Sequence, residues 1–397
     1  MRYIPIEPAA PRRAMAPTLT APPPLALYVH FPWCVRKCPY CDFNSHPLRG
    51  DIPQARYVDA LLADLESAVP QIWGRRIHSV FVGGGTPSLI DPDQLSRLLD
   101  GVRALGNLAP GAEITLEANP GAADAGRFAG YREAGVNRLS VGVQSFDDRL
   151  LAAIGRIHDG ADARRAVEAA LSHFERVNLD LMYGLPGQQP AMFASDLDIA
   201  LGYGAGHLSC YQLTIEPNTE FHAVPPPLPD EDCTAAMQDA LEARLASAGY
   251  EHYEVSAFAR PGQACLHNLN YWRFGDYLGI GAGAHGKLSG QHGVVREIRH
   301  RHPRAYLEAA GERRFVSESR QVSADELPFE FMMNALRLRR GFPRHLFEAV
   351  TGMPLAVVEV TLSVARRDGL LAIDADDIRP TELGRRFLNE LLQRFLP

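Results

Sequence analysis

From Leu25 onward one pattern repeats along the chain: a short apolar run rich in β-branched or aromatic residues, then a stretch with helical spacing. The runs cover 25–31, 78–82, 113–116, 138–143, 177–182, 207–213 and 250–255. Between them Val58, Leu61, Leu62, Leu65 and Val69 mark one helical face, and Leu95, Leu98, Leu99 and Val102 mark the next. A later face runs through Cys233, Ala236, Met237, Ala240, Leu241, Leu245 and Ala248. Strands alternating with helices call for parallel pairing, because a helix must carry the chain back across the sheet between one strand and the next.

Polar residues gather where the runs end. Three cysteines follow the first run, Gly83-Gly84-Gly85-Thr86-Pro87 the second, and Glu117 and Asn119 the third. Gln144 closes the fourth, and Asp180 lies within the fifth, just before Tyr183-Gly184-Leu185-Pro186-Gly187. In a β/α barrel, groups at the C-terminal strand ends share one mouth. The expectation is therefore an α/β fold, a full or partial barrel, over residues 25–260.

The flanks read differently. The first 27 residues carry seven of the 30 prolines and almost no apolar periodicity, so 1–24 is expected to be a disordered leader. Residues 261–317 are expected to connect the barrel to a C-terminal unit over 318–397, with helices at 327–338, 355–367 and 381–396. A short β-wing at 369–379 would make that unit winged-helix-like. It holds 11 Arg against 12 Asp+Glu, and the whole chain has 40 Lys+Arg against 47 Asp+Glu, net −7. Neither balance suits a phosphate backbone, so nucleic acid is not an expected partner. With 46% hydrophobic and 22% charged residues the 397-residue chain has a globular composition. No uncharged apolar run approaches the roughly 18 residues that span a bilayer.

The six cysteines are not spread evenly. Cys34, Cys38 and Cys41 fall within eight residues, as C-x3-C-x2-C, whereas Cys210 and Cys233 sit in apolar patterns and read as core thiols. A secreted disulfide scaffold is short and cysteine-dense, and this chain is neither. Structural zinc needs four ligands, commonly two pairs, so a zinc reading must recruit His30 or His46. A [4Fe-4S] cluster held by three thiolates instead keeps one iron open for an outside ligand.

C-x3-C-x2-C at the end of the first strand resembles the radical S-adenosylmethionine (SAM) superfamily. That resemblance implies a partial (β/α)6-type barrel, a [4Fe-4S] cluster on Cys34, Cys38 and Cys41, and SAM on the open iron. It further implies that Gly83, Gly84 and Gly85 approach the methionine amino group, that Arg156 meets its carboxylate, and that Glu117 and Gln144 face the ribose. Tyr40 matches the aromatic residue near adenine, and Tyr28, Thr86 and Asp180 complete the pocket. No side chain is assigned as catalytic.

Within the superfamily, His30-Phe31-Pro32-Trp33-Cys34 with Cys38-Pro39-Tyr40-Cys41-Asp42-Phe43-Asn44-Ser45-His46 resembles the oxygen-independent coproporphyrinogen III oxidase-like branch. Together with His267-Asn268-Leu269-Asn270-Tyr271-Trp272 it is most similar to the heme chaperones of that branch. The porphyrinogen oxidases carry a further cysteine where this chain has Phe43, and a longer ordered N-terminal region. The resemblance thus implies heme as cargo, an acceptor (respiratory) apo-hemoprotein, an electron donor for the cluster, and a homodimer on heme binding as one state to test. His267 is the first expected heme contact, with His285 and Cys265 as further ligands to weigh and His30 and His46 flanking the cluster. A reducing cytoplasm suits such a cluster, with peripheral membrane association through the acceptor. The alternative is a radical SAM enzyme that oxidatively decarboxylates coproporphyrinogen III.

Overall fold

The computed structural model describes residues 18–121, 125–291 and 293–397. Residues 1–17 of the expected leader lie outside the described residues, and its last prolines are held: Arg75 donates to Pro23 O at 2.5 Å and Asp276 N to Pro24 O at 2.8 Å.

Six strands pair in parallel and in sequence order: β1 (Leu25–Phe31), β2 (Ile77–Gly84), β3 (Leu108–Ala118), β4 (Arg138–Gln144), β5 (Arg176–Tyr183) and β6 (His207–Gln212). Helices α1 (Gln54–Ala68), α2 (Pro92–Leu105), α3 (Phe128–Ala134), α4 (Gly160–His173) and α5 (Pro190–Tyr203) fall between them, as the periodicity predicts. The helix expected from the 233–248 face is α6 (Glu231–Ser247).

Alternate residues along these strands divide into two sets. Leu27, Val29, Val80, Val82, Leu116, Leu139, Val141, Leu179 and Leu181 are buried in one core with Leu61, Leu65, Leu95, Leu98 and Leu99 of α1 and α2. Each such side chain contributes about 1.5–3 kcal/mol on leaving water. The positions between them, Tyr28, His30, Glu117, Ser140, Asn178, Asp180, Ser209 and Tyr211, point to the opposite face because strand side chains alternate. That face is bonded rather than oily: Asn178 Nδ2 donates to Ser140 Oγ at 2.8 Å and to Asp180 Oδ1 at 2.7 Å.

The seventh run does not become a seventh parallel strand. It yields β7 (Glu251–His252), antiparallel to β8 (Ala257–Ala259), which is itself antiparallel to β6. Only residues 253–256 separate β7 from β8, too few for the crossover that parallel pairing requires. On the far side of β1 the sheet continues through β9 (Asp276–Ile280), parallel, then β10 (His285–Gly290), β11 (Gly293–Arg299) and β12 (Val316–Gln321), antiparallel. The region expected only to connect thus supplies most of one flank of a 12-stranded sheet. Its strands carry Lys287, Arg296 and Arg299 instead of apolar runs. The strand order runs from β12 at one edge to β7 at the other, and among the described residues these two edges do not pair, so the barrel is partial.

Beyond it, Phe274 and Val294 join Phe331, Phe342, Phe347, Leu362, Leu371 and Leu391 in a second core. The expected wing is present: β13 (Phe342–Pro343), β14 (Leu371–Ile373) and β15 (Asp377–Pro380) form a small antiparallel sheet among short helices. Among the described residues, no single helix is long and apolar enough to cross a membrane.

Candidate functional site

A cleft of about 430 Å³ opens at the C-terminal ends of the parallel strands, lined by Cys34, Cys38 and Cys41 together with Gly84, Gly85, Thr86, Glu117, Gln144, Arg156 and Asp180. The cysteine loop leaves β1 through Trp33–Cys34, which pairs in parallel with His46–Pro47 and so closes the intervening residues into a loop. Within it Cys41 N donates to Cys38 O at 3.1 Å, and Cys41 Sγ lies 3.6 Å from Ser45 Oγ. All three thiols are free. Burial, the largest influence, pushes Cys34 and Cys41 above the usual thiol value, so a bound metal must displace their protons.

The donor set fits a multi-iron cluster better than zinc. Four ligands of one zinc ion lie about 2.0–2.3 Å from a single atom. Among the described residues the three thiols have no fourth cysteine beside them in the cleft, so a zinc site would have to draw on His30 or His46. His30 is committed elsewhere: its Nε2 donates to Asn44 O at 2.9 Å, and its Nδ1 accepts from the Tyr28 hydroxyl at 3.0 Å. His46 packs edge-on against His302, 5.2 Å between ring centres. Three thiols around one cleft, each free to meet a different iron, suit a cluster.

The other cleft residues are built in. Gly84 has φ +121°, and a Cβ there would lie 2.7 Å from the His30 ring, so only glycine fits. Its N–H donates to Glu117 Oε2 at 3.1 Å. Burial, then the charge of Asp180, pushes the Glu117 carboxyl up to about 8, and burial raises Asp180 as well. Arg156 is no surface cation: Nη2 donates to Asn119 Oδ1 and to Gly142 O, both at 2.8 Å, and Nη1 lies 3.8 Å from Cys38 Sγ. Its buried Nε has no partner among the described residues. Gln144 holds the left-handed φ of +68° and accepts from the Tyr211 hydroxyl at 2.7 Å, a strained backbone at the point where the strand ends. Thr86 Oγ1 accepts from Asn119 Nδ2 at 2.9 Å, and Tyr40 lines the cleft with its ring 6.5 Å from Phe221.

Other expected residues lie elsewhere. Tyr28 lines a neighbouring cavity of about 330 Å³ with Tyr271, Tyr277 and His285, not the cysteine cleft. His267 is 1% exposed, and both ring nitrogens are engaged, Nδ1 with Ser79 Oγ at 3.0 Å and Nε2 with the Tyr271 hydroxyl at 3.1 Å. In this arrangement it touches neither cavity. Cys265 is fully buried, its thiol 3.5 Å from Glu113 Oε1 and pushed up to about 11 by burial, so it offers no open ligand position.

Residues 28–200 match the family described as the Radical SAM superfamily, and residues 322–387 match the HemN C-terminal domain. The chain is 49% identical over 376 residues to the heme chaperone HemW of Escherichia coli K12, covering 94% of this chain and 98% of that protein. This chain belongs to the HemW family. The HemW of Haemophilus influenzae is 46% identical over 380 residues, again covering 94% of this chain and 98% of the relative. The solved structure of coproporphyrinogen III oxidase (HemN) from Escherichia coli, described as a radical SAM enzyme, superposes with TM-score 0.79 at 24% identity, covering 94% of this chain and 90% of that one. That likeness establishes the fold. A radical SAM core in a HemW-family chain implies a [4Fe-4S] cluster and SAM, and the cleft lines up three thiols for the one with the bare glycine backbone and the open Arg156 Nε for the other.

Three further residues hold this HemW-family site together, one of them, Asn119, already marked by its strand-end position. Asn119 bridges Arg156 to Thr86, and Tyr211 fixes Gln144. Asn44 fastens the cysteine loop to the far side of the sheet, donating to Ala282 O at 3.0 Å and Arg301 O at 2.9 Å. Tyr211 had a signal: Ser209 and Tyr211 keep the two-residue polar register within an apolar run. Asn44 had none.

Proposed function

We propose that this chain carries heme and hands it to an acceptor apo-hemoprotein, with a [4Fe-4S] cluster and SAM seated in the cysteine cleft. The observation that carries the reading is 49% identity over 94% of the chain to a relative named heme chaperone HemW. Phe43, 59% exposed where the porphyrinogen oxidases it resembles have a further cysteine, favours carriage over turnover.

In this reading Cys34, Cys38 and Cys41 hold three irons. The bound cluster supplies single electrons and an open iron for the amino and carboxylate groups of SAM. Arg156 offers its unpartnered Nε to that carboxylate, and the bare backbone at Gly84 and Gly85 admits the amino group. Glu117 and Gln144 orient the ribose. With its carboxyl pushed up to about 8, Glu117 keeps a proton at neutral pH and donates to a hydroxyl as well as accepting. Tyr40 covers the adenine, and Thr86 and Asp180 close the pocket. An external donor would supply the electron to a cluster held by these thiols, and the neighbouring tyrosine-lined cavity would hold heme.

The test uses one cluster-loaded sample. Heme titration should give a saturable Soret shift, with heme passing to an apo-hemoprotein, while incubation with reductant, SAM and coproporphyrinogen III should leave the porphyrinogen mass unchanged. Loss of two carboxyl groups from that substrate, or heme binding no better than by an unrelated protein, overturns the proposal.

A further inference from the structure

Resting on the heme-carrying reading, the geometry points to His285, not His267, as the axial ligand of heme, in the cavity between the cysteine loop and β9–β10. Freeing His267 would break its bonds to Ser79 and Tyr271 and its stack on Phe81, 5.0 Å between ring centres. Its helix α7 (Leu266–Trp272) is pinned too, since Glu113 Oε1 accepts from Leu266 N at 2.9 Å and His267 N at 3.2 Å. A buried, doubly bonded imidazole pays twice before it can meet iron.

His285 faces no such cost. It is exposed, and neither ring nitrogen has a hydrogen-bond partner among the described residues. Burial first, then the cations Arg301 and Arg296, keeps its imidazole below the ordinary value, so at neutral pH it presents a free lone pair. Its backbone is nonetheless fixed, paired with Ile298 of β11. A Cβ on Gly279 would fall 2.0 Å from His285 O, so the strand can pass that close only against glycine.

The surroundings suit a flat, apolar, dianionic ligand. Tyr28, Tyr271, Tyr277 and the exposed Phe43 give aromatic walls. Arg301, exposed and close enough for its charge to act on His285, is a cation that a propionate can pair with. At about 330 Å³ the cavity is at the small end for a bound organic ligand, so a macrocycle held there stays partly in solvent, where an acceptor can take it. Phe43, Gly84 and Glu117 line both this cavity and the cysteine cleft, placing the proposed heme beside the cluster.

The experiment is a heme titration of the full chain, read by Soret absorbance and by resonance Raman or electron paramagnetic resonance for the axial ligand. Wild type should show imidazole-ligated heme. His285→Ala should bind on the order of tenfold more weakly and lose that signature, with free imidazole restoring it. His285→Met should move the spectrum to thioether ligation, and His267→Gln should keep the imidazole signature. If His285→Ala keeps wild-type affinity and spectrum, the inference is wrong. If wild type binds no heme, the heme-carrying reading itself fails.

Discussion

Glu117 is buried near Asp180 and accepts a hydrogen bond from Gly84 N. Its carboxyl is pushed from 4.5 up to about 8. Between those values the unfolded chain releases a proton that the folded chain keeps, so stability falls as pH rises through the window. The ligand-free protein should therefore lose thermal stability from pH 5 to pH 8, and Glu117→Gln should flatten that slope; equal slopes in melts of the two proteins would contradict the assignment. Arg156 makes a second prediction. Arg156→Lys keeps the charge but loses the fork that spans Asn119, Gly142 and the open Nε. SAM affinity by equilibrium dialysis should drop on the order of tenfold or more, with iron and sulfide content retained. Cys38→Ala should do the reverse, abolishing cluster iron and sulfide while far-ultraviolet dichroism stays native. Asn44, Asn119 and Tyr211, whose bonding roles the sequence did not show, are hydrogen-bonding groups whose partners lie on other elements. Local pattern can mark the position of such a side chain, as at Asn119 and Tyr211, but not the partner it bridges to.

At the level of elements, α1, α2 and α6 were legible because each shows an apolar face at helical spacing, and the parallel strands because polar residues gather where they end. On α2 the face is unambiguous: Leu95, Leu98, Leu99 and Val102 are fully buried. Leu99→Ala should cost about 2–5 kcal/mol by denaturant melts, from lost transfer energy and the cavity left behind, without changing the ligand set of the cleft. Strands β9 to β12 were not legible. Lys287 is buried there with its Nζ 2.9 Å from Asp276 Oδ1, and Arg299 is buried 3.2 Å from Asp64 Oδ1. Their partners make burial tolerable, yet in the sequence the same residues read as solvent-facing loop.

For the whole molecule, the two cores meet at Phe274 and Val294, which come from the barrel side but pack with Phe331 and its neighbours. A chain ended at residue 321 should therefore expose that face and aggregate, seen as loss of the monodisperse peak in size-exclusion chromatography. Trp272 and Arg337, 4.6 Å from ring centre to guanidinium, tie α7 to the same seam. The amino-acid sequence alone determined the α/β alternation and the gathering of three cysteines with Glu117, Gln144 and Asp180 at the strand ends, because local periodicity and strand-end position carry that information along the chain, while the partial barrel and Arg156 came from the family resemblance. Only the tertiary structure decided that Tyr28 leaves the cysteine cleft for its neighbour, that His267 is sealed behind Ser79 and Tyr271, and that His285 stands open. Accessibility depends on which distant elements pack over a side chain, and no single stretch of sequence contains both partners of that contact.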